Sequence, residues 1–188
     1  MADFDIGRKI KALRLERKLT LQKLAKETGF SPALISQIEN DNVSPPIGTL
    51  TKLAKVLKVR MGHFFDEGDT DAKYEIVRKK ERRKVRRVIS KLGTKQGYFY
   101  EALSFKKKDK RMEPFLLTIK TDVLDEKSLY SHEGEEFLMV LKGSAELVYD
   151  TERLVLKEGD SIYFDSTARH RLLCNNNIPA KVLVVLTK

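Results

Sequence analysis

The chain has 188 residues, 41% of them hydrophobic and 34% charged, and carries a net charge of +10. That length suits one ordinary domain or two small ones. No window of about 18 uninterrupted apolar residues offers a membrane span, and the single cysteine, Cys174, excludes an intrachain disulfide framework or a cysteine-rich zinc module.

The charge is unevenly spread: +6 over residues 1–65, +8 over 66–111 and −4 over 112–188. A basic front joined to an acidic back points to an anion-binding half and a half with another task. The N-terminus mixes Asp3, Asp5, Arg8 and Lys9 with scattered hydrophobics and lacks the apolar run of an export signal. With one cysteine, the expectation is a reducing cytoplasm.

Ile6, Ile10, Leu13 and Arg17 fall at helical spacing, with Leu15 and Leu19 extending the apolar side. Thr20 is suited to cap a second helix whose Leu21, Leu24 and Ala25 face inward until Gly29 ends it. Ser31 caps a third, with Pro32 in the first turn, where its missing N–H costs nothing. That helix carries Leu34, Ile35 and Ile38 to about Glu39. A fourth follows through Leu50, Leu53, Ala54 and Leu57, and a brief fifth covers Met61 to Phe65. Residues 1–65 are therefore expected to form a five-helix bundle.

Residues 66–97 read as a linker. It begins acidic and glycine-bearing, and then holds eight basic side chains between Arg78 and Arg87, either a flexible arm or a strand edge that repels unwanted pairing. From residue 98 the pattern turns to short β-branched and aromatic runs between turn signals. Strands are expected at 98–104, 115–120, 137–142, 145–149, 153–156, 161–164, 170–174 and 181–187. Such short, numerous strands imply a sandwich or barrel of antiparallel sheet. The fold class is two-domain, α followed by all-β.

Within the helical part, Ala25 is small enough for two helices to cross closely, while Ile35 and Ile38 anchor the third helix. Pro32, Ala33, Leu34, Ser36 and Gln37 stay near its outer side, where such a helix can enter a major groove. The run Leu19-Thr20 … Leu24-Ala25 … Gly29-Phe30-Ser31 … Ile35-Ser36-Gln37-Ile38-Glu39 resembles the helix-turn-helix domain of the phage-repressor (Xre) family of bacterial regulators. The resemblance covers residues 6–65. It implies that Gln37 reaches a base, an amide being able to pair bidentately with adenine, and that Ala33 and Leu34 meet thymine methyls. Ser31, Pro32 and Ser36 lie on the same face. Thr20, Gln22, Lys23 and Asn40 would meet phosphates. Many relatives carry glutamine where Leu21 stands, which moves that contact towards Gln22. A bundle that only packs or dimerises is the plainer alternative.

In the strand-rich part, Tyr130, His132 and Glu136 share parity on an extended chain, and His170 opens a later strand. Two imidazoles and a carboxylate make the ligand set of a mononuclear transition-metal site. Residues 115–186 resemble the cupin family of small jelly-roll barrels. The first cupin motif, His-x-His-x-x-x-Glu with a later glycine, matches at His132, Glu136 and Gly143, with Tyr130 in place of the leading histidine. The second retains Gly159 and His170. The resemblance implies one divalent metal (Fe, Mn, Ni or Zn) or a polar cluster lining an effector pocket. Tyr130 is a weaker ligand or a hydroxyl donor to a bound molecule. Leu138 and Val140 alternate with Phe137, Met139 and Leu141, so one face of that strand must be covered, by dimerisation or by Tyr98-Phe99-Tyr100.

The combination resembles bacterial regulators in which a cupin (jelly-roll) barrel senses a small molecule and alters occupancy of double-stranded DNA. The expected partners are duplex DNA, a small-molecule effector and a second copy of the chain, with no membrane. The expected location is the bacterial cytoplasm, on the nucleoid when bound. The competing expectation is a mononuclear non-haem iron oxygenase, since a fosfomycin-forming epoxidase is similar in its two-part build and its His-x-x-x-Glu … His site. An intact DNA-reading pattern and strong basic charge favour the regulator and no catalytic residues.

Overall fold

A computed structural model describes residues 5–43, 45, 47–65, 73–85, 98–107, 110–120, 129–176 and 178–187. The chain begins with α1 (Ile6–Glu16), started by the Asp5 carboxylate accepting the Arg8 N–H at 3.3 Å. Helix α2 (Leu21–Thr28) is capped by the Thr20 hydroxyl at 3.1 Å from the Lys23 nitrogen, and ends at Gly29. Helix α3 (Pro32–Glu39) is capped by Ser31, whose Oγ accepts the Leu34 N–H at 3.1 Å, and α4 spans Ile47–Val56. These caps stand where Thr20, Gly29, Ser31 and Pro32 place them.

The expected fifth α-helix is not formed, so among the described residues the bundle has four α-helices. Met61–Phe65 is a 3-10 helix, closed by the His63 N–H to the Arg60 carbonyl at 2.9 Å. Five residues that include Gly62 are too few to propagate an α-helical ladder.

Among the described residues nine strands follow: β1 (Arg83–Val85), β2 (Tyr98–Ala102), β3 (Met112–Ile119), β4 (Glu135–Lys142), β5 (Ser144–Tyr149), β6 (Glu152–Lys157), β7 (Ser161–Asp165), β8 (His170–Cys174) and β9 (Ala180–Thr187). All named pairs are antiparallel. One sheet has the order β1-β2-β3-β9-β4-β7 and the other β6-β5-β8. Inward residues such as Phe115, Leu138, Leu147, Leu172 and Val184 are buried, and the alternation along β3, β4 and β9 is the pleat read directly.

The basic segment resolves, over Arg83–Val85, into the edge strand β1 paired with β2. Arg86 and Arg87, like the acidic stretch 66–71, lie outside the described residues. Just before β1, Glu75 accepts hydrogen bonds from the Ser104 hydroxyl at 2.8 Å and from the backbone N–H groups of Phe105, Lys106 and Lys107. Burial pushes its carboxyl up, but these donors outweigh it and hold it below the ordinary glutamate value.

The helices and the sheets share one hydrophobic cluster. The Phe65 and Phe115 rings meet with centroids 5.2 Å apart, and the Tyr100 hydroxyl donates to the Pro45 carbonyl at 3.1 Å. Tyr100 thus points inward. It does not cover the outer face of β4, because β3 and β9 separate β2 from β4.

Candidate functional site

Helix α3 buries Ile35, Ile38 and Glu39 and exposes Ser31 at its cap, then Pro32, Ala33 and Gln37, with Leu34 and Ser36 half-buried. Thr20, Gln22 and Lys23 are exposed on the first turn of α2, which packs against α3. The Asn40 amide donates to the Ser36 carbonyl at 2.8 Å, finishing α3.

A residue pair that periodicity passes over holds α3 in place. Arg14 of α1 donates from Nε to Glu39 Oε1 at 2.6 Å and from Nη2 to Oε2 at 2.8 Å, with a third bond from Nη1 to the Leu19 carbonyl at 2.9 Å. Both side chains are buried. In the sequence Arg14 is one more polar residue between the apolar helical positions Leu13 and Leu15, with no sign of its distant partner.

In the barrel, His132, Glu136 and His170 come together, all buried, with their ligand atoms within 4.8 Å of one another. Glu136 comes from β4 in one sheet and His170 from β8 in the other. Parity alone does not explain the contact of His132 with Glu136, since four residues of extended strand span about 13 Å. The chain turns at Gly134, with φ of 94°, and brings His132 Nε2 to 2.6 Å from Glu136 Oε1. The loop is fixed by the His132 N–H to the Ser166 carbonyl at 2.9 Å and the Ser166 N–H to the Gly134 carbonyl at 3.0 Å.

Both imidazoles have their other nitrogen committed. His132 Nδ1 donates to the Glu133 carbonyl at 3.0 Å and His170 Nδ1 to the Ala168 carbonyl at 2.9 Å, because a carbonyl oxygen can only accept. Neutral rings fixed this way direct both Nε2 lone pairs at the Glu136 carboxylate. His170 Nε2, buried and 3.3 Å from Glu136 Oε1, has no hydrogen-bond partner. Three convergent acceptors need a cation. Burial pushes His132 down, but the hydrogen bond and charge of Glu136 outweigh it and hold the ring above the ordinary histidine value. Burial likewise pushes Glu136 up, and contact with His132 and then His170 reverses it. A proton on His132 supplies one solution; a divalent ion between the three atoms supplies the other. Donation from the second ring nitrogen to a backbone carbonyl is the usual support of a metal-binding histidine. The residues fit a metal.

Tyr130 stands at the rim. Its backbone pairs with that of His170 and its ring lies edge-on to the His170 ring, with centroids 4.6 Å apart. On the other side it reaches α4, where a Cβ at Gly48 would lie 2.1 Å from Tyr130 Cδ2. Gly48→Ala is therefore expected to destabilise the protein by about 1–3 kcal/mol, although alanine gains about 1 kcal/mol of helix propensity. Urea unfolding checks this. In a Tyr130→Ala background the penalty should vanish.

Beside the triad, a cavity of about 540 Å³ separates α4 from the barrel. Lys52, Ala54 and Lys55 form one wall and Ser131, His132 and Glu133 the other. Cys174 is buried within the core, and His63 is exposed on the 3-10 helix.

Comparison with known proteins agrees with both halves. The helix-turn-helix family matches residues 10–64 and the cupin domain family residues 116–186. The HTH-type transcriptional regulator PuuR of Escherichia coli is 24% identical over 164 residues, covering 87% of this chain and 84% of that protein. The HTH-type transcriptional regulator SinR of Bacillus licheniformis is 31% identical over 109 residues, 57% of this chain and 97% of that protein. Among solved structures, an HTH_3 family transcriptional regulator from Vibrio cholerae matches with a TM-score of 0.64 at 23% identity, covering 98% of this chain and 96% of that one. Hydroxypropylphosphonic acid epoxidase from S. wedmorenis matches at 0.50 and 21%, covering 98% of each chain. At that identity the likeness to the epoxidase shows the fold alone, whereas the relatives matched by sequence are named as regulators. The chain belongs to the phage-repressor-like helix-turn-helix family of DNA-binding transcriptional regulators, and carries a cupin domain behind its DNA-reading helices.

Proposed function

We propose that the protein is a homodimeric, sequence-specific regulator in which residues 1–65 read DNA, 66–97 connect and 98–188 sense a small-molecule effector. The observation that carries this reading is the exposed outer face of α3, capped by Ser31 and held from behind by Arg14. On it Gln37 reads a base, Ala33 and Leu34 contact thymine methyls, and Ser31, Pro32 and Ser36 complete the face in the groove. Thr20, Gln22, Lys23 and Asn40 meet phosphates.

His132, Glu136 and His170 would hold one divalent ion, Fe, Mn, Ni or Zn, and Tyr130 sits beside it. Such an ion supplies a Lewis-acidic position for an oxygen or nitrogen donor of an effector. Dimerisation would use the outer face of the larger sheet. There the register places Leu116 beside Leu183 and Met139, and Pro114 beside Val185, Phe137 and Tyr163, leaving Leu141 45% and Tyr163 59% exposed. An apolar face of this kind marks an association surface, and a two-fold would set two α3 helices on symmetric half-sites. A regulator of bacterial DNA works in the cytoplasm, at the nucleoid. Among the described residues no helix is long and apolar enough to cross a membrane.

Selection of bound duplexes from a random pool tests the reading. On the selected site, Gln37→Ala is expected to cost about 1–3 kcal/mol while leaving affinity for random duplex unchanged, as read by fluorescence anisotropy. Equal losses on both would remove Gln37 as a base reader, and no affinity for any duplex at low salt would remove the function.

A further inference from the structure

Two of the cations on the cavity walls have different surroundings. Lys55 crosses the cleft to pair with Glu133 on the opposite wall. Lys52, one turn earlier on α4, is half-buried and lies over an aromatic ring, its ammonium 5.7 Å from the centroid of Phe30. Deeper in, Glu113 is matched by Lys110 at 2.9 Å. Glu133 and Glu113 thus have lysine partners, and Lys52 meets the cleft with no carboxylate partner of its own among the described contacts. Between these groups the surface is apolar, built from Ala54, Val59, Met61 and Leu186.

We infer that this cleft is the effector site and that its ligand is a small organic carboxylate with an apolar body. The carboxylate lies on Lys52, and the body lies against Val59, Met61 and Leu186. The volume falls in the range of small-molecule sites, about 300–1,000 Å³. Because a lysine is a compact point charge on a flexible stem, it can turn from the Phe30 ring to the ligand. Phe30 directly precedes Ser31, the cap of α3, so the same movement reaches the turn that aims the reading helix. A ligand touching α4 and the barrel together also favours one placement of the two over others, and that differential binding is what couples a site to DNA occupancy.

This inference rests on the regulatory reading above, and the two can fail separately. Phenylacetate and hexanoate, with phenylacetamide and hexanamide as neutral counterparts, are titrated into the full-length protein by calorimetry, both metal-loaded and chelator-treated. At least one carboxylate is expected to bind about ten- to one-hundred-fold tighter than its amide, the scale of one charge-assisted bond. Lys52→Met should bring carboxylate affinity down to that of the amide. Lys52→Arg should retain the preference, and Lys52→Gln replaces the methionine variant if that one does not fold. The proposal is overturned if no carboxylate binds, if the amides bind equally, or if Lys52→Met leaves affinity intact while chelation abolishes it, which would put the anion on the metal. Duplex affinity of the ligand-free protein is measured alongside. Carboxylate binding through Lys52 without any DNA binding would remove the regulator and keep the site. DNA binding without carboxylate binding would do the reverse.

Discussion

Replacing Arg14 by methionine is expected to lower the unfolding free energy by about 3–5 kcal/mol, because it strands a buried carboxylate. Glu39 receives two of its charge-assisted bonds from Arg14, at 2.6 and 2.8 Å, and both partners are almost wholly removed from water. A domain commonly has only about 5–15 kcal/mol of stability, so the variant should unfold at much lower denaturant, as chemical denaturation at neutral pH will show. The pair itself need not be worth that much. Removing both charges with Arg14→Met and Glu39→Leu should recover most of the loss, since a well-packed apolar pair of similar volume often matches a buried ion pair. If the single and double variants unfold alike, the penalty does not come from the stranded carboxylate. Because Glu39 is the last residue of α3, partial unfolding here should also loosen the recognition helix, and duplex affinity should fall with stability.

The second large effect concerns metal content. His132→Ala with His170→Ala is expected to reduce bound metal from about one ion per chain to background, measured by elemental analysis of protein loaded in turn with Fe(II), Mn, Ni and Zn. The argument is the locked orientation of both rings. With each Nδ1 occupied by a backbone carbonyl, the two Nε2 atoms and Glu136 are left to face a common point, and losing two of three donors leaves one carboxylate, which cannot hold a transition ion tightly. Unchanged metal in the double variant would refute ligation and leave the triad as a polar cluster. Substituting single donors orders their importance, with His170 informative because its Nε2 has no other engagement.

Much of this architecture is legible along the chain because it is written in local periodicity. Thr20, Ser31 and Pro32 announce helix starts by hydrogen-bonding and dihedral constraints that act within three residues. The apolar alternation of β3, β4 and β9 survives because each has one face against the other sheet. His132, Glu136, Gly143 and His170 stand in a spacing that a family pattern records. Other features had no local signature. Arg83-Lys84-Val85 is a strand because β2 offers it an edge, and nothing in three residues says so. Arg14 and Glu39 find each other 25 positions apart, and each looks like an ordinary surface residue of its helix. The turn at Gly134 that closes His132 onto Glu136 runs against the extended reading on which their shared parity rested. The cleft beside α4 is the clearest case: Lys52 and His132 belong to different halves and line one cavity only because those halves are packed together.

The contact between Gly48 and Tyr130 also bears on how such chains are assembled by recombination. Reading heads and barrels look interchangeable, but here the barrel's aromatic ring rests on a helix position that has no room for even a methyl group. A head transplanted from a relative with any larger residue there would seat at a new angle, and its grip on an operator would then be set by a misfit inherited from the donor.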